Sequence, residues 1–267
     1  MSPTELIQHA IINGITVLGL TDHDTIKGWQ EAKGAVRGGF KLALGAEISC
    51  FSEEHKSVHM LGLLFDEANG QMQQLLAESR DTRLPRMRAM VELLQLDGYD
   101  VSLDDVFAAA PDRATIGRPH LADALVAKGI VATRDDAFSE LLHNDSKYYV
   151  THAAPTPEQA ISTIKSAGGV AVIAHPFASR RGQTLSSDSF EGLVAAGLDG
   201  IEVHHRDQNQ DERSVLQSIA QELGLIVTGA SDYHGTGKLN AIAENTTAPL
   251  EWEALESRAN ARRVIKV

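Results

Sequence analysis

The sequence predicts an α/β protein whose mainly parallel sheet, open or closed into a barrel, is interrupted by an all-helical insert. Three observations predict it. Short apolar runs rich in β-branched residues alternate with helical patterns up to about residue 66, and again from about 151 to the end. Between about 67 and 150 strand signals fade and apolar residues recur at helical spacing. Histidines and carboxylates stand where the apolar runs end, the edge at which parallel α/β sheets build sites.

The elements follow in order. Ser2 and Glu5 form a capping box with Pro3 at the first helical position, so a helix runs from about 3 to 13 and stops at Gly14. Ile15 to Leu20 reads as a buried strand, with Thr21-Asp22-His23-Asp24 after its end. A helix holding Trp29 and Ala32 leads to a strand from Leu42 to Ile48, closed by Glu47. A third strand, Ser57 to Phe65, carries His59. In the insert, Leu75, Leu76, Met87, Met90, Val91, Leu94 and Leu96 make helical stripes broken by Pro85, and three more helices centre on Val106, Leu121 and Phe138. Alternation resumes with a helix from Pro157 to Ala167, then Val170 to Ala174 and His175-Pro176. A helix near 188–196 precedes Ile201-Glu202-Val203. Another at 211–223 precedes Leu225 to Ala230 and Ser231-Asp232-Tyr233-His234.

Composition narrows the function. The 267 residues are 43 % hydrophobic and 22 % charged, which suits one or two folded domains and excludes a disordered or coiled-coil chain. No apolar run approaches the roughly 20 residues of a membrane helix, so no membrane partner is expected. The opening residues carry no signal-peptide pattern. One cysteine, Cys50, excludes an internal disulfide framework and fits a cytoplasmic protein. A net charge of −12 argues against coating duplex DNA, and 5 % aromatics is sparse for stacking a long single strand. A small phosphorylated molecule in a local basic or metal-loaded pocket remains open.

Of the eleven histidines, those at strand ends matter most. His23, Glu47, His59, His175, and Asp232 with His234 come from five strands and converge on one region. Imidazole nitrogen and carboxylate oxygen together suit zinc, manganese or iron. Two or three such ions roughly 3.5–4 Å apart form a clamp for phosphoryl displacement. His9, His55, His143 and His152 read as surface, turn or packing residues. His204 and His205 close a strand near the site but are not read as ligands. Arg118-Pro119-His120 opens a helix after Gly117, where anions bind and an arginine can grip phosphate bidentately; a surface ion pair is the other reading. Arg180 and Arg181 could hold a second phosphate or sit in a solvated loop. Gly235-Thr236-Gly237-Lys238 is no P-loop, because Asp232 and Leu239 replace the required Gly and Ser/Thr; it reads as a turn presenting Lys238. No Gly-x-Ser-x-Gly nucleophile elbow occurs, and Cys50 reads as a small buried hydrophobe.

Thr21-Asp22-His23-Asp24, Gly45-Ala46-Glu47, Val58-His59-Met60-Leu61-Gly62, Ile173-Ala174-His175-Pro176 and Gly229 to His234 resemble, in order and over nearly the whole chain, the motifs of the polymerase-and-histidinol-phosphatase (PHP) superfamily of metal-dependent phosphoesterases. Gly117-Arg118-Pro119-His120, Gly237-Lys238-Leu239-Asn240 and Glu244 to Thr247 resemble one branch, whose members act on 3′,5′-bisphosphate nucleotides and, in some cases, short RNA. The resemblance implies a distorted (β/α)₇ barrel at 1–66 and 151–267 and a helical lid at 67–150. It implies up to three divalent ions (manganese, iron or zinc). Glu47 would bridge two of them, His59 and His175 would complete the second site, Asp232 would serve the first, and His23 and His234 the third. Arg118, His120 and Lys238 would hold substrate phosphate, with Arg118 and His120 in the catalytic set.

The family opens with a strand carrying His-x-His and, shortly after, an Asp in Ser-Asp-Gly. The first residues here match the segment after Ser-Asp-Gly, so three ligands and the first strand are missing from the pattern. Met1 is then a late start, or the chain has lost part of its centre. On this count the second site alone keeps its full set, and the chain as written is expected to hydrolyse phosphomonoesters poorly, with the strand at Ile15 left as an apolar edge. The expected function is hydrolysis of a nucleotide phosphomonoester, a 3′,5′-bisphosphate nucleotide or short RNA end, by metal-activated water. The alternatives are a histidinol phosphatase and a degenerate, non-catalytic nucleotide-binding barrel.

Overall fold

The computed structural model describes residues 1–110, 116–143, 145–151, 153–179, 184–235 and 239–266. The elements are α1 (Pro3–Ile12), β1 (Val17–Leu20), α2 (Trp29–Ala35), β2 (Lys41–Phe51), β3 (Ser57–Leu63), α3 (Gly70–Asp81), α4 (Arg83–Leu96), α5 (Leu103–Ala109), α6 (Arg118–Ala127), α7 (Arg134–Glu140), α8 (Pro157–Ser166), β4 (Val170–Ala174), α9 (Ser189–Ala195), β5 (Gly200–His204), α10 (Gln210–Leu223), β6 (Ile226–Gly229), α11 (Pro249–Ser257) and β7 (Ile265–Lys266). The chain divides into one compact unit of Met1–Leu76 with Pro155–Val267 and a second of Ala77–Ala154. Among the described residues no helix is long and apolar enough to cross a membrane.

The first unit is the predicted α/β fold, a sheet curled into a half-barrel. Strand order is β1-β2-β3-β4-β5-β6, with β7 paired to the start of β2. The expectation of a mainly parallel sheet is corrected. β1/β2, β4/β5 and β5/β6 are parallel, but β2/β3, β3/β4 and β2/β7 are antiparallel. The cause lies between Phe51 and Ser57. A parallel return needs a crossover of a dozen or more residues, and the short turn there, closed by Ser52 N–H donating to the Lys56 carbonyl at 2.9 Å, allows only a hairpin.

Residue alternation puts the two faces of the sheet into different cores. Leu42, Leu44, Ala171 and Ile173 pack with Ile7, Trp29, Ile161, Ile164, Phe190 and Leu216 of the surrounding helices. Ala43, Val170 and Val172 face the other way and pack with Ile226 and Leu255. The Ser2 cap read from the sequence starts α1, and Thr156 and Asn209 likewise cap α8 and α10; in each, the third helical side chain accepts the cap residue's N–H in return.

The second unit holds α4 to α7 around its own core of Met87, Met90, Leu94, Val106, Leu121 and Leu125. Pro85, expected to break the helical pattern, does not. It sits in the first turn of α4, where its missing N–H has no intrahelical partner to lose, and the break falls at Thr82 instead.

Candidate metal centre

Glu47 anchors the site, and it lies inside β2 rather than at its end. The His23 loop is stitched to it from both sides. Glu47 N–H donates to the Asp22 carbonyl at 3.1 Å, and Asp24 N–H donates to the Glu47 carbonyl at 2.9 Å. Asp24 is buried in the left-handed region, at φ 53°. Its carboxylate accepts from the Ser49 N–H at 3.0 Å and the Ser49 hydroxyl at 3.1 Å, which fixes the loop that presents His23.

Register brings in the next two imidazoles. Ser49 pairs with His59, and His59 pairs with Ala174, the residue before His175. Glu47 and His59 are diagonal neighbours on one face of the β2/β3 pair, within side-chain reach. Because β3 runs antiparallel, its early residues lie at the same edge as the carboxyl end of β4. His59 Nδ1 stands 2.7 Å and His175 Nε2 3.4 Å from Glu47 Oε1, and His23 Nδ1 stands 3.7 Å from Glu47 Oε2. The ligand atoms of His23, Glu47 and His59 all lie within 4.8 Å of one another. Burial by itself would raise the Glu47 carboxyl, but the His23, His59 and His175 imidazoles outweigh it and hold the group well below the usual carboxylate range.

His175 sits at φ 32° and its N–H donates to Glu202 Oε2 at 2.7 Å. Gln208 braces this corner: its amide donates to the carbonyls of Glu202 and Val203 and accepts the Phe177 N–H at 3.0 Å. After β6, Asp232 adopts φ 47°, and its Oδ1 lies 3.1 Å from His234 Nδ1. The His234 ring reaches to 5.7 Å of the His23 ring. Burial pushes the neighbouring Asp22 carboxyl up; His234 opposes this and Glu47 adds to it.

The chain thus brings His23, Glu47, His59 and His175 together and places Asp232 and His234 beside them. Sequence reasoning missed the supports: Asp24, Glu202, Gln208 and His205. His205 is wholly buried, 3.6 Å from Asp232 Oδ2, and its Nδ1 accepts the Asp207 N–H at 3.0 Å. The signal available for Glu202 was a carboxylate inside the apolar run Ile201-Glu202-Val203. A carboxylate ringed by imidazoles is a donor set that fits a divalent ion of the zinc, manganese or iron type.

Arg118 and His120 belong to the second unit. Arg118 opens α6 behind Gly117 and donates from Nη1 to the Leu142 carbonyl at 2.8 Å. His120 Nδ1 accepts the Gly117 N–H at 3.1 Å, so a neutral ring carries its proton on Nε2. Burial lowers the His120 imidazole, against the pull of Asp123. Lys238, Arg180, Arg181 and His152 lie outside the described residues.

No family model matches the chain. Curated relatives do. A 3′,5′-nucleoside bisphosphate phosphatase of Chromobacterium violaceum is 34 % identical over 239 residues, 89 % of this chain and 84 % of that protein. A 5′-3′ exoribonuclease of Haemophilus influenzae is 34 % identical over 235 residues, 88 % of this chain and 85 % of that protein. Among solved structures, a candidate metal-dependent phosphoesterase from Bifidobacterium adolescentis superimposes with a TM-score of 0.91 at 40 % identity, covering 97 % of this chain and 91 % of its own. With the imidazole-ringed Glu47 at the strand ends and these likenesses along its length, the chain belongs to the PHP-type metal-dependent phosphoesterases, hydrolases of phosphoester bonds.

Proposed function

We propose that the chain hydrolyses a phosphomonoester of a nucleotide, either a 3′,5′-bisphosphate nucleotide or the end of a short RNA. The observation that carries the reading is Glu47, buried, with three imidazole nitrogens between 2.7 and 3.7 Å of its oxygens. His23, Glu47, His59 and His175, joined by Asp232 and His234, would hold divalent ions, of which manganese is our first choice. A bound divalent ion supplies Lewis-acid activation of water and offsets charge on the phosphoryl oxygens. The names of the two bacterial relatives support a nucleotide or RNA substrate.

The chain's own residues divide the remaining work. Glu47, kept ionised by its neighbours, would be the shared anionic donor to the ions. Glu202 holds the backbone N–H of His175, and Gln208 holds that of Phe177 two residues on, so that the His175 ring does not have to be ordered on binding. Arg118 and His120 are assigned a substrate phosphate on the chemistry of the second unit: a guanidinium and an imidazole Nε2–H at the first turn of a helix suit an oxyanion. Lys238 is assigned the same role on sequence alone. A single buried thiol and a net charge of −12 suit a cytoplasmic enzyme with no duplex-DNA partner.

The test is release of inorganic phosphate from a 3′,5′-bisphosphate nucleotide and from a short 5′-phosphorylated RNA. The chain is stripped with chelator and reloaded with manganese, zinc or iron(II). Metal-dependent release, abolished in Glu47→Gln, is expected. No release with any of the three ions would overturn the reading in favour of a binding protein.

A further inference from the structure

Of the described histidines His205 alone is buried outright, at 0 % exposure, and it is not among the proposed ligands. The strand end that carries it is irregular. β5 pairs Glu202 with Thr228 and His204 with Gly229, so it holds one residue more than β6 over this step. An extra residue of this kind re-aims the side chains that follow, and here His204 stays exposed while His205 turns inward. The main chain of His205 is tied down: its carbonyl accepts the Gln208 N–H at 3.2 Å and Arg213 Nη2 at 2.6 Å. The imidazole lies between the ligand-bearing loops after β4 and β6. Its centroid is 5.1 Å from that of His175, and its Nε2 is 3.6 Å from Asp232 Oδ2.

The ring is either a ligand or a donor, and the backbone decides which. The Asp207 N–H donates to Nδ1 at 3.0 Å. A nitrogen that accepts carries no proton, so the ring proton is on Nε2. Nε2 then has no lone pair to give an ion, and His205 is not a metal ligand. Among the described residues its Nε2 has no hydrogen-bond partner, and a buried donor without one is unfavourable. The carboxylate that faces it is Asp232, whose side chain is almost wholly buried and whose other oxygen, Oδ1, stands 3.1 Å from His234 Nδ1. Carboxylates that hold a metal are commonly held in turn by an outer hydrogen bond.

We propose that His205 is the positioning residue of Asp232. Its Nε2–H donates to Oδ2 in the metal-loaded chain and fixes the carboxylate, with Oδ1, the oxygen on the His234 side, left for the ion. Because His205 is anchored at the end of β5, this donor ties the Asp232 loop to the sheet. The role deepens the proposed function and rests on it for the presence of the ions, but not for the identity of the ester, and it can be read without turnover.

The experiment titrates manganese into the full chain, stripped with chelator and dialysed, and reads free ion by electron paramagnetic resonance. Two amides divide the two functions of the imidazole. His205→Asn keeps an acceptor at the position of Nδ1 for the Asp207 N–H but is too short to reach Asp232. His205→Gln places an amide N–H at the position of Nε2. His205→Asn is expected to weaken manganese binding about 10–100-fold, the usual cost of losing an outer hydrogen bond to a ligand, and His205→Gln to stay within about threefold of wild type. In an Asp232→Ala background, which itself loses affinity, adding His205→Asn should cost less than about twofold more, because the carboxylate it acts through is gone. A residue that only supports the fold would show the same loss with and without that carboxylate. Melting curves report the folding of each variant. If His205→Asn does not fold, His205→Gln decides: near-wild-type affinity upholds the donor, and lost affinity in a folded variant overturns it. Equal losses in both folded variants, unchanged binding by His205→Asn, or an undiminished effect in the Asp232→Ala background overturns the role. A wild type that holds no manganese overturns it together with the metal centre. Absence of phosphate release from a 3′,5′-bisphosphate nucleotide, with the manganese pattern as expected, overturns the proposed function and leaves His205 in its role.

Discussion

His175 and Asp232 sit at positive φ, 32° and 47°, where a residue with a Cβ is held only by its surroundings. His175 follows directly on β4 and Asp232 lies three residues past the end of β6; the His175 ring faces Glu47 and the Asp232 carboxylate faces His234. The site is built by such single residues, and the key one is Glu47. Glu47→Gln keeps the shape but removes the charge that three imidazoles surround. Purified without chelator, the variant should carry less than a tenth of the wild-type divalent metal by elemental analysis, with an unchanged circular dichroism spectrum. Equal metal content would place the ions elsewhere. Cys50 shows the opposite electrostatics. Burial, with Asp24 and Glu158 adding, pushes its thiol well above the usual value. A raised value favours the neutral thiol in the folded chain, so the contribution to stability is complete below the ordinary thiol value and is lost progressively as pH rises from there to the raised value. At pH 8 a thiol reagent should therefore leave the native chain untouched for hours and modify one cysteine at once in denaturant; rapid native labelling would contradict the burial.

At the scale of elements, what the sequence disclosed and what it hid have a common physical basis. Local signals were legible. The capping box at Ser2 marks a helix start, and Val170 to Ala174 is a strand buried at every position. The motif residues at the ends of these runs therefore fall near one sheet edge on the sequence pattern alone. Contacts between distant segments were not legible. The direction of β3 depends on a short turn, and the Glu202 carboxylate reaches the His175 N–H across 27 positions. No periodicity encodes such a pairing. His205 was passed over because its neighbour His204 is exposed while His205 is buried, and an alternation read at a strand's last residue does not say which of two histidines turns inward. Gly45 has the closest backbone approach of the described glycines in the sheet. A Cβ there would stand 2.5 Å from the Gly62 carbonyl oxygen and 2.8 Å from Leu63 Cδ2, while the Gly45 carbonyl is held by the Trp29 indole N–H at 3.1 Å. The strand cannot shift without losing that bond. Gly45→Ala should cost about 1–3 kcal/mol, the usual penalty for overpacking, measured by urea unfolding. A loss under about 0.5 kcal/mol would mean that β2 and β3 separate there more readily than the pairing suggests.

At the scale of the molecule, the chain keeps two cores apart, one in each compact unit. The proposed metal ligands are all in the first unit, and Arg118 and His120, assigned a substrate phosphate, are in the second. This division gives the first unit an observable of its own. Both tryptophans of the chain, Trp29 and Trp252, fall in the first unit. Trp29 is 1 % exposed and packs in the same core as the residues flanking Glu47, namely Ala46 and Ile48. Tryptophan fluorescence therefore follows the melting of the metal-binding unit alone. A ligand that binds only the folded state stabilises it by RT ln(1 + [L]/Kd), about 2.7 kcal/mol at a hundredfold excess over Kd. For a unit of this size that corresponds to a rise of about 5–10 °C in the tryptophan melting midpoint. Manganese added to the chelator-stripped chain should produce that rise, and Glu47→Gln should abolish it, because the shift is a property of the donor cluster and not of ionic strength. Magnesium, which keeps its waters and suits oxygen donors better than imidazole, should move the midpoint much less at the same concentration. An equal rise for both ions, or an undiminished rise in Glu47→Gln, would show that the stabilisation comes from ions screening the −12 net charge and that the imidazole-ringed carboxylate holds no metal.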